Sequence, residues 1–174
     1  MVFKKEEIFK FSEERKHWLE ASGEELTSQC RFDAFKSTGK GGQKRNKTSS
    51  ALRLIHSPSG ISVTADGSRS QNENRSEALR KLRYMIALEY RSAVPVDVPF
   101  ENIEMSLSNK HYHLWTACML DVFYDADFVL KDAAEKCGVS PSKLVKLIYR
   151  DTALWQELNR VMTAQGKSPL RAPA

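Results

Sequence analysis

Between residues 74 and 90 the apolar positions Ala78, Leu79, Leu82, Met85, Ile86 and Tyr90 recur at three- and four-residue steps, the spacing that gathers a single stripe on a helix. Arg75, Arg80, Lys81 and Arg83 crowd the other faces, so the stretch predicts an amphipathic helix over 74–90. Residues 12–29 also read as helix. Ser12 can cap it, Glu13 and Glu14 suit the positive N-terminus, and Trp18 and Leu19 supply apolar contact. Gly23 breaks this run, and Ser22 with Glu25 three residues on makes a capping box for a further short turn.

From Arg31 the period changes to two. Phe32 and Ala34 point one way and Arg31 and Asp33 the other, as in a strand. Thr38 to Asn46 is a loop with Gly39, Gly41 and Gly42 close together. Alternation returns in Ala51–His56 and again in Ile61–Ala65, with the turn Pro58-Ser59-Gly60 between, and the pair predicts a hairpin. Ser92 to Pro99 holds Pro95 and Pro99 and carries no helical pattern. Beyond it, helices are expected over about 110–124, 127–137, 141–150 and 152–164, with Ser140 as N-cap and Pro141 as first helical residue. The fold class expected is α+β: a small mixed sheet with helices over 1–92, a linker over 93–104, and an all-α segment over 105–174.

Composition narrows the class. Hydrophobic residues make up 41% and charged residues 28% of the 174, an ordinary globular balance. No apolar run approaches the roughly 18–20 residues that cross a bilayer, and the first residues, with Glu6 and Glu7, resemble neither a signal nor a transit peptide. Cys30, Cys118 and Cys137 are odd in number and scattered, which reads as reduced thiols in cytoplasm. The net charge of +5 is uneven: residues 1–92 carry 18 Lys and Arg against 12 Asp and Glu, residues 93–174 carry 9 against 10. No acid lies between Asp33 and Asp66, where Lys36, Lys40, Lys44, Arg45, Lys47 and Arg53 fall. A cation cluster around a glycine-rich loop points to a phosphate-rich partner.

That loop, Gly39-Lys-Gly-Gly-Gln-Lys-Arg-Asn-Lys-Thr48, admits three readings. It can be a solvated hairpin connection. It can be a nucleotide-binding P-loop, since Gly41, Lys47 and Thr48 fall at the right spacing, but Asn46 stands where the second glycine belongs and a strand follows where a helix is needed. The third reading takes in the neighbourhood. Lys36 to His56, followed by Pro58-Ser59-Gly60-Ile61 and Arg69-Ser70-Gln71-Asn72-Glu73-Asn74, resembles the catalytic domain of class I peptide-chain release factors over roughly residues 26–90.

The resemblance implies a release-factor GGQ-type fold and ribosome-dependent hydrolysis of the ester of peptidyl-tRNA, with Gly41, Gly42 and Gln43 as the catalytic residues. In that family the glutamine's backbone N–H faces the developing oxyanion while its side chain admits only a water-sized nucleophile. Such a reaction needs positioning and oxyanion stabilisation rather than a covalent nucleophile. The two glycines let the backbone approach the ribose with no Cβ in the way. Lys40, Lys44, Arg45 and Lys47 are expected on RNA phosphates. Arg69 and Gln71 either contact RNA or cap the helix that follows. The partners implied are the ribosome's peptidyl-transferase centre and peptidyl-tRNA, with no cofactor, no membrane, a cytoplasmic location and a monomer off the ribosome.

Full-length release factors carry a codon-reading domain ahead of the catalytic one, and about 25 residues precede the resemblance here. The expectation is therefore codon-independent release, as in short relatives that rescue stalled ribosomes. Those carry a Lys/Arg-rich tail, whereas residues 160–174 hold only Arg160, Lys167 and Arg171. Instead, Leu130 to Tyr149 resembles a helix-turn-helix, with Lys143, Lys146 and Arg150 on one face of its second helix. That face is an RNA-binding candidate, and a plain structural bundle is the competing reading. A non-catalytic RNA- or ribosome-binding factor stands as the alternative function, and a DNA-binding helix-turn-helix as a weaker one. His56 reads as a structural strand-end residue. His111 and His113, two apart on a helix, point away from each other and cannot share an ion, so no metal is expected.

Overall fold

The run expected as helix over 12–29 forms two helices, α1 (Ser12–Glu20) and α2 (Gly23–Ser28). Ser22 is the N-cap of α2: its Oγ accepts the Glu25 N–H at 3.1 Å while the Glu25 carboxylate accepts the Ser22 N–H at 2.7 Å. These bonds hold the Glu25 carboxyl below its ordinary range, the Ser22 backbone N–H contributing most. The computed structural model describes residues 9–35, 51–92 and 102–173, and the chain divides into two compact units, His17–Ile86 and Met1–Lys16 with Ala87–Ala174. Residues 93–101 of the expected linker lie outside the described residues.

In the unit His17–Ile86, strands β1 (Cys30–Phe35), β2 (Ala51–His56) and β3 (Ser62–Ala65) form a sheet ordered β1-β2-β3, antiparallel throughout among the described residues. The hairpin is as expected: β2 and β3 pair Leu52 with Ala65 and Leu54 with Val63, and Gly60 turns the corner at φ +74°. Positive φ is open to glycine because it has no Cβ. Leu52, Leu54, Val63 and Ala65 are buried while Arg53, Ser62 and Thr64 are exposed, so alternation holds along this hairpin from Leu52 on; Ala51, ahead of it, is buried as well. It fails on β1, where Ala34 is exposed and Asp33 only half so. An edge strand has a single paired neighbour, so its inward positions are covered less well.

Helix α3 (Gln71–Glu89) starts three residues before the apolar stripe predicts. Asn74 explains this. It is buried at 1% exposure, accepts the Ser68 N–H at 2.9 Å and donates Nδ2–H to the Ser68 carbonyl at 2.8 Å, pinning the chain ahead of the first turn. Ala78, Leu82 and Ile86 continue the same row at four-residue steps, each fully buried. Burying a leucine or isoleucine side chain stabilises by about 1.5–3 kcal/mol, so this row anchors the helix.

In the second unit, α4 (Tyr112–Asp125), α5 (Leu130–Lys136), α6 (Pro141–Tyr149) and α7 (Thr152–Ala164) follow in order. Trp115, Leu120 and Phe123 of α4, Leu144 and Ile148 of α6, and Leu154 and Leu158 of α7 are buried in its core. Ser140 caps α6 with Pro141 at its first turn, and Asp151 caps α7 by accepting the Ala153 and Leu154 N–H groups at 3.0 and 3.1 Å. Helix α5 begins at Leu130 rather than 127, because Asp127 and Phe128 take left-handed φ of 46° and 60° and end the turn from α4.

Besides the cap Asp151, three charged residues are buried in this unit among the described residues. Arg15, Asp121 and Arg91 are 4%, 6% and 1% exposed. The Asp121 carboxylate takes Arg15 Nη1 at 2.6 Å and the Ser92 N–H at 3.2 Å. Arg91 donates to the carbonyls of Ala87, Leu88 and Tyr90 as α3 ends, and burial pushes its guanidinium down to about 10. Farther along, Trp115 Nε1–H donates to the Ile103 carbonyl at 2.8 Å.

Candidate functional site

Strands β1 and β2 pair from Cys30 opposite His56 to Phe35 opposite Ala51. The chain from 36 to 50, with the seven residues Lys40, Gly41, Gly42, Gln43, Lys44, Arg45 and Lys47, therefore leaves and rejoins the sheet at one closed rung. Those seven lie outside the described residues. Their stem is firm, since directly opposed Cα atoms in an antiparallel ladder stand roughly 4.5–5.5 Å apart. Below it, Ala51, Leu52 and Leu54 are at most 2% exposed.

His56 closes the other end of β2. It is fully buried and meets the Trp18 ring edge-on at 4.8 Å. Its Nε2 faces Gln29 Oε1 at 3.3 Å, an acceptor, so Nε2 carries the proton and Nδ1 accepts from the Ser59 hydroxyl at 2.7 Å. Ser59 Oγ in turn accepts the Ile61 N–H at 3.2 Å. Burial lowers the imidazole's pKa from its ordinary value, which favours this neutral form. Through Nδ1 the histidine thus holds the β2–β3 turn, as its strand-end position suggests, while Nε2 ties it to Gln29 at the end of α2.

Arg69 and Gln71 are both exposed, one just ahead of α3 and one at its first residue. Capping falls to others: Ser70 Oγ accepts the Glu73 N–H at 3.3 Å, and Ser68 accepts the Ser70 N–H at 3.0 Å and donates to the Glu73 carboxylate. The basic faces of α3 are largely engaged. Arg75 lies over the Phe32 ring at 4.3 Å, Arg80 holds Glu77 through two bonds of 2.8 Å, Lys81 donates to the Thr64 carbonyl at 3.1 Å, and Arg83 to the Ala21 carbonyl at 2.6 Å.

In the other unit, Lys143, Lys146 and Arg150 are all exposed on α6 and its C-terminal cap. Two of them have partners that helical spacing does not reveal. Lys143 Nζ pairs with the Glu104 carboxylate at 2.7 Å, and Arg150 Nη2 donates to the Met105 carbonyl at 2.5 Å. Glu104 ends the segment the sequence reads as a linker and Met105 directly follows it, a stretch without pattern and so without signal. His111 caps α4 without a side-chain bond and His113 is buried; no three His, Cys, Asp or Glu among the described residues stand as a metal-binding group. Burial pushes the thiols of Cys30, Cys118 and Cys137 up to about 11, 12 and 11, which removes their nucleophilicity near neutral pH.

Comparison with known proteins bears on the first unit. Residues 23–99 match the RF-1 domain family. Peptide chain release factor 1 of Lachnoclostridium phytofermentans is 48% identical over 65 residues, which is 36% of this chain and 18% of that protein. Peptide chain release factor 2 of Paramagnetospirillum magneticum is 45% identical over 69 residues, 38% of this chain and 19% of the other. The chain thus spans about a fifth of the length of these relatives.

Proposed function

We propose that the chain, whose residues 23–99 match the RF-1 domain family of class I peptide-chain release factors, hydrolyses the ester of peptidyl-tRNA on the ribosome. The observation that carries the reading is an intact Gly41-Gly42-Gln43 in the matched segment, on the connection between two strands whose last rung, Phe35 with Ala51, is closed. The Gln43 backbone N–H stabilises the oxyanion, its side chain screens the nucleophile, and the two glycines admit the loop to the ribose. Lys40, Lys44, Arg45 and Lys47 neutralise RNA phosphates around the reaction centre. Arg69 and Gln71, exposed ahead of α3, add to that contact.

The finer proposal is release without codon reading, in rescue of stalled ribosomes or split large subunits. In this reading the second unit, with the consecutive helices α5 and α6, takes part in recognising the stalled particle. A ribosomal reaction implies the cytoplasm, and no described helix is long and apolar enough to cross a membrane. The test is peptide release from defined ribosome complexes with the mRNA truncated, intact through the A site with a sense codon, ending in a stop codon, or absent. Release from truncated and sense-codon complexes is expected. Release confined to stop codons overturns codon independence, and ribosome binding without release on any complex overturns the catalytic reading in favour of a binding factor.

A further inference from the structure

Past its first residue, the exposed Pro141, α6 with its cap Arg150 divides into two sides. At about 100° per residue, Leu144, Val145, Leu147 and Ile148 share the buried side. The exposed side runs, in angular order, Tyr149, Ser142, Lys146, Arg150, Lys143, an arc of roughly 120° with one ring, one hydroxyl, three cations and no acid. Tyr149 keeps 47% of its surface exposed although its ring meets Trp155 perpendicularly at 5.0 Å. Packing against Trp155 fixes the ring and leaves much of it open. Lys146 has no ion-pair partner among the described residues.

The arc has one shielded edge. Glu104 and Met105 engage Lys143 and Arg150, and beside Arg150 an open groove of about 620 Å³ is lined by residues 104–108, including the mutually bonded hydroxyls of Ser106 and Ser108 and the half-exposed Leu107. A helix entering a duplex major groove must present its face unobstructed to both walls. Here an approaching duplex meets the Glu104 carboxylate on one side, whereas Ser142, Lys146 and Tyr149 remain open on the other. The open side pairs cations with an available aromatic ring, the combination that takes single-stranded nucleic acid by phosphate contact and base stacking.

We infer that the exposed arc of α6 is a binding surface for single-stranded RNA, with phosphates on Lys143, Lys146 and Arg150 and a base stacked on Tyr149. The choice of RNA over DNA rests on the ribosomal reading of residues 23–99. The surface gives that enzyme a second hold on its substrate particle, one that carries no sequence preference because every base has a stacking face.

The probe is a fluorescein-labelled 15-nucleotide RNA of mixed sequence, titrated with the full chain between 50 and 200 mM salt. Each phosphate contact to a single strand contributes about 0.7 to the log–log salt slope. Replacing Lys143, Lys146 and Arg150 with alanine removes about two from the slope, so the wild type's advantage shrinks roughly 20-fold across that salt range. Tyr149→Ala weakens binding about tenfold, and Tyr149→Phe, which keeps the ring, binds as wild type does. Because Tyr149 packs on Trp155, each variant's thermal melt is recorded, and Lys146→Glu, which breaks no contact in the structure, repeats the test without touching the fold. An unchanged salt slope in both the triple variant and Lys146→Glu overturns the proposal. So does competition by a DNA duplex equal to that by RNA. Gly42→Ala separates this inference from the catalytic reading: it is expected to lose release and keep RNA binding, and failure of wild-type release leaves the RNA titration to stand or fall by itself.

Discussion

Asp121→Asn tests how the helical unit is held together. Its carboxylate is the only one bonded to Arg15 among the described residues, at 2.6 Å and with both side chains under a tenth exposed. Arg15 Nε and Nη2 already lack acceptors there, as does Arg91 Nε. An amide can accept one bond from Arg15 but cannot neutralise it, and its new N–H₂ points donors at donors. Breaking one partner of a buried pair costs about 3–5 kcal/mol, a large fraction of the roughly 5–15 kcal/mol that holds a domain. For a chain of this size each kcal/mol moves the midpoint by about 2–4 °C, so a Tm lower by roughly 6–20 °C is expected. Replacing the pair together, Arg15→Met with Asp121→Leu, removes both charges and recovers most of the loss. Thermal and urea melts of the two singles and the double give the coupling. If Asp121→Asn falls by under about 1 kcal/mol, or the double is as unstable as the worse single, the pair is not the structural element described here.

Gly42→Ala is expected to abolish peptide release while melting as wild type does; release within a few-fold of wild type would remove the loop from catalysis. Gln43→Ala keeps the backbone N–H, so it is expected to fall well short of the roughly 10²–10³ loss that removing an oxyanion donor causes and to admit hydroxylamine as nucleophile; unaltered discrimination would end the screening role. The His56 imidazole has its pKa lowered by burial, so the unfolded chain binds its proton first. Stability is therefore full above the ordinary value of 6.5 and falls as pH drops below it, complete once the folded value is passed. Urea midpoints between pH 8 and 5 are expected to fall less in His56→Gln than in wild type, and parallel curves would refute the assignment.

Elements with a local cause were legible. The capping box of Ser22 and Glu25, the Ser140-Pro141 start of α6 and the alternation through β2 and β3 are written in neighbouring residues, and the structure follows each. What escaped depends on tertiary context. Arg15 and Arg91 look like solvated helix-face charges in sequence, and only the fold brings Asp121, over a hundred positions from Arg15, to meet them. Asn74 begins the buried row of α3 yet is polar, so a pattern of apolar residues starts too late. Gly41-Gly42-Gln43 is read as a motif alone, with its flanks supplying the specificity, and lies outside the described residues, whereas the shielding of Lys143 and Arg150 by residues 104–105 needed three dimensions.

The anchors of Ser92 and Ile103 carry a further consequence. One is tied to Asp121 and the other to Trp115, both on α4 and six residues apart, about 9 Å along its axis. Ten residues lie between those anchors, enough to reach roughly 33 Å if extended. Both anchors sit on one helix, and ten residues exceed what the distance between them requires. The length of that connection is correspondingly free: doubling such a loop costs only about 0.6 kcal/mol in closure entropy, which makes this the stretch where insertions, affinity tags or a reporter domain are best accommodated.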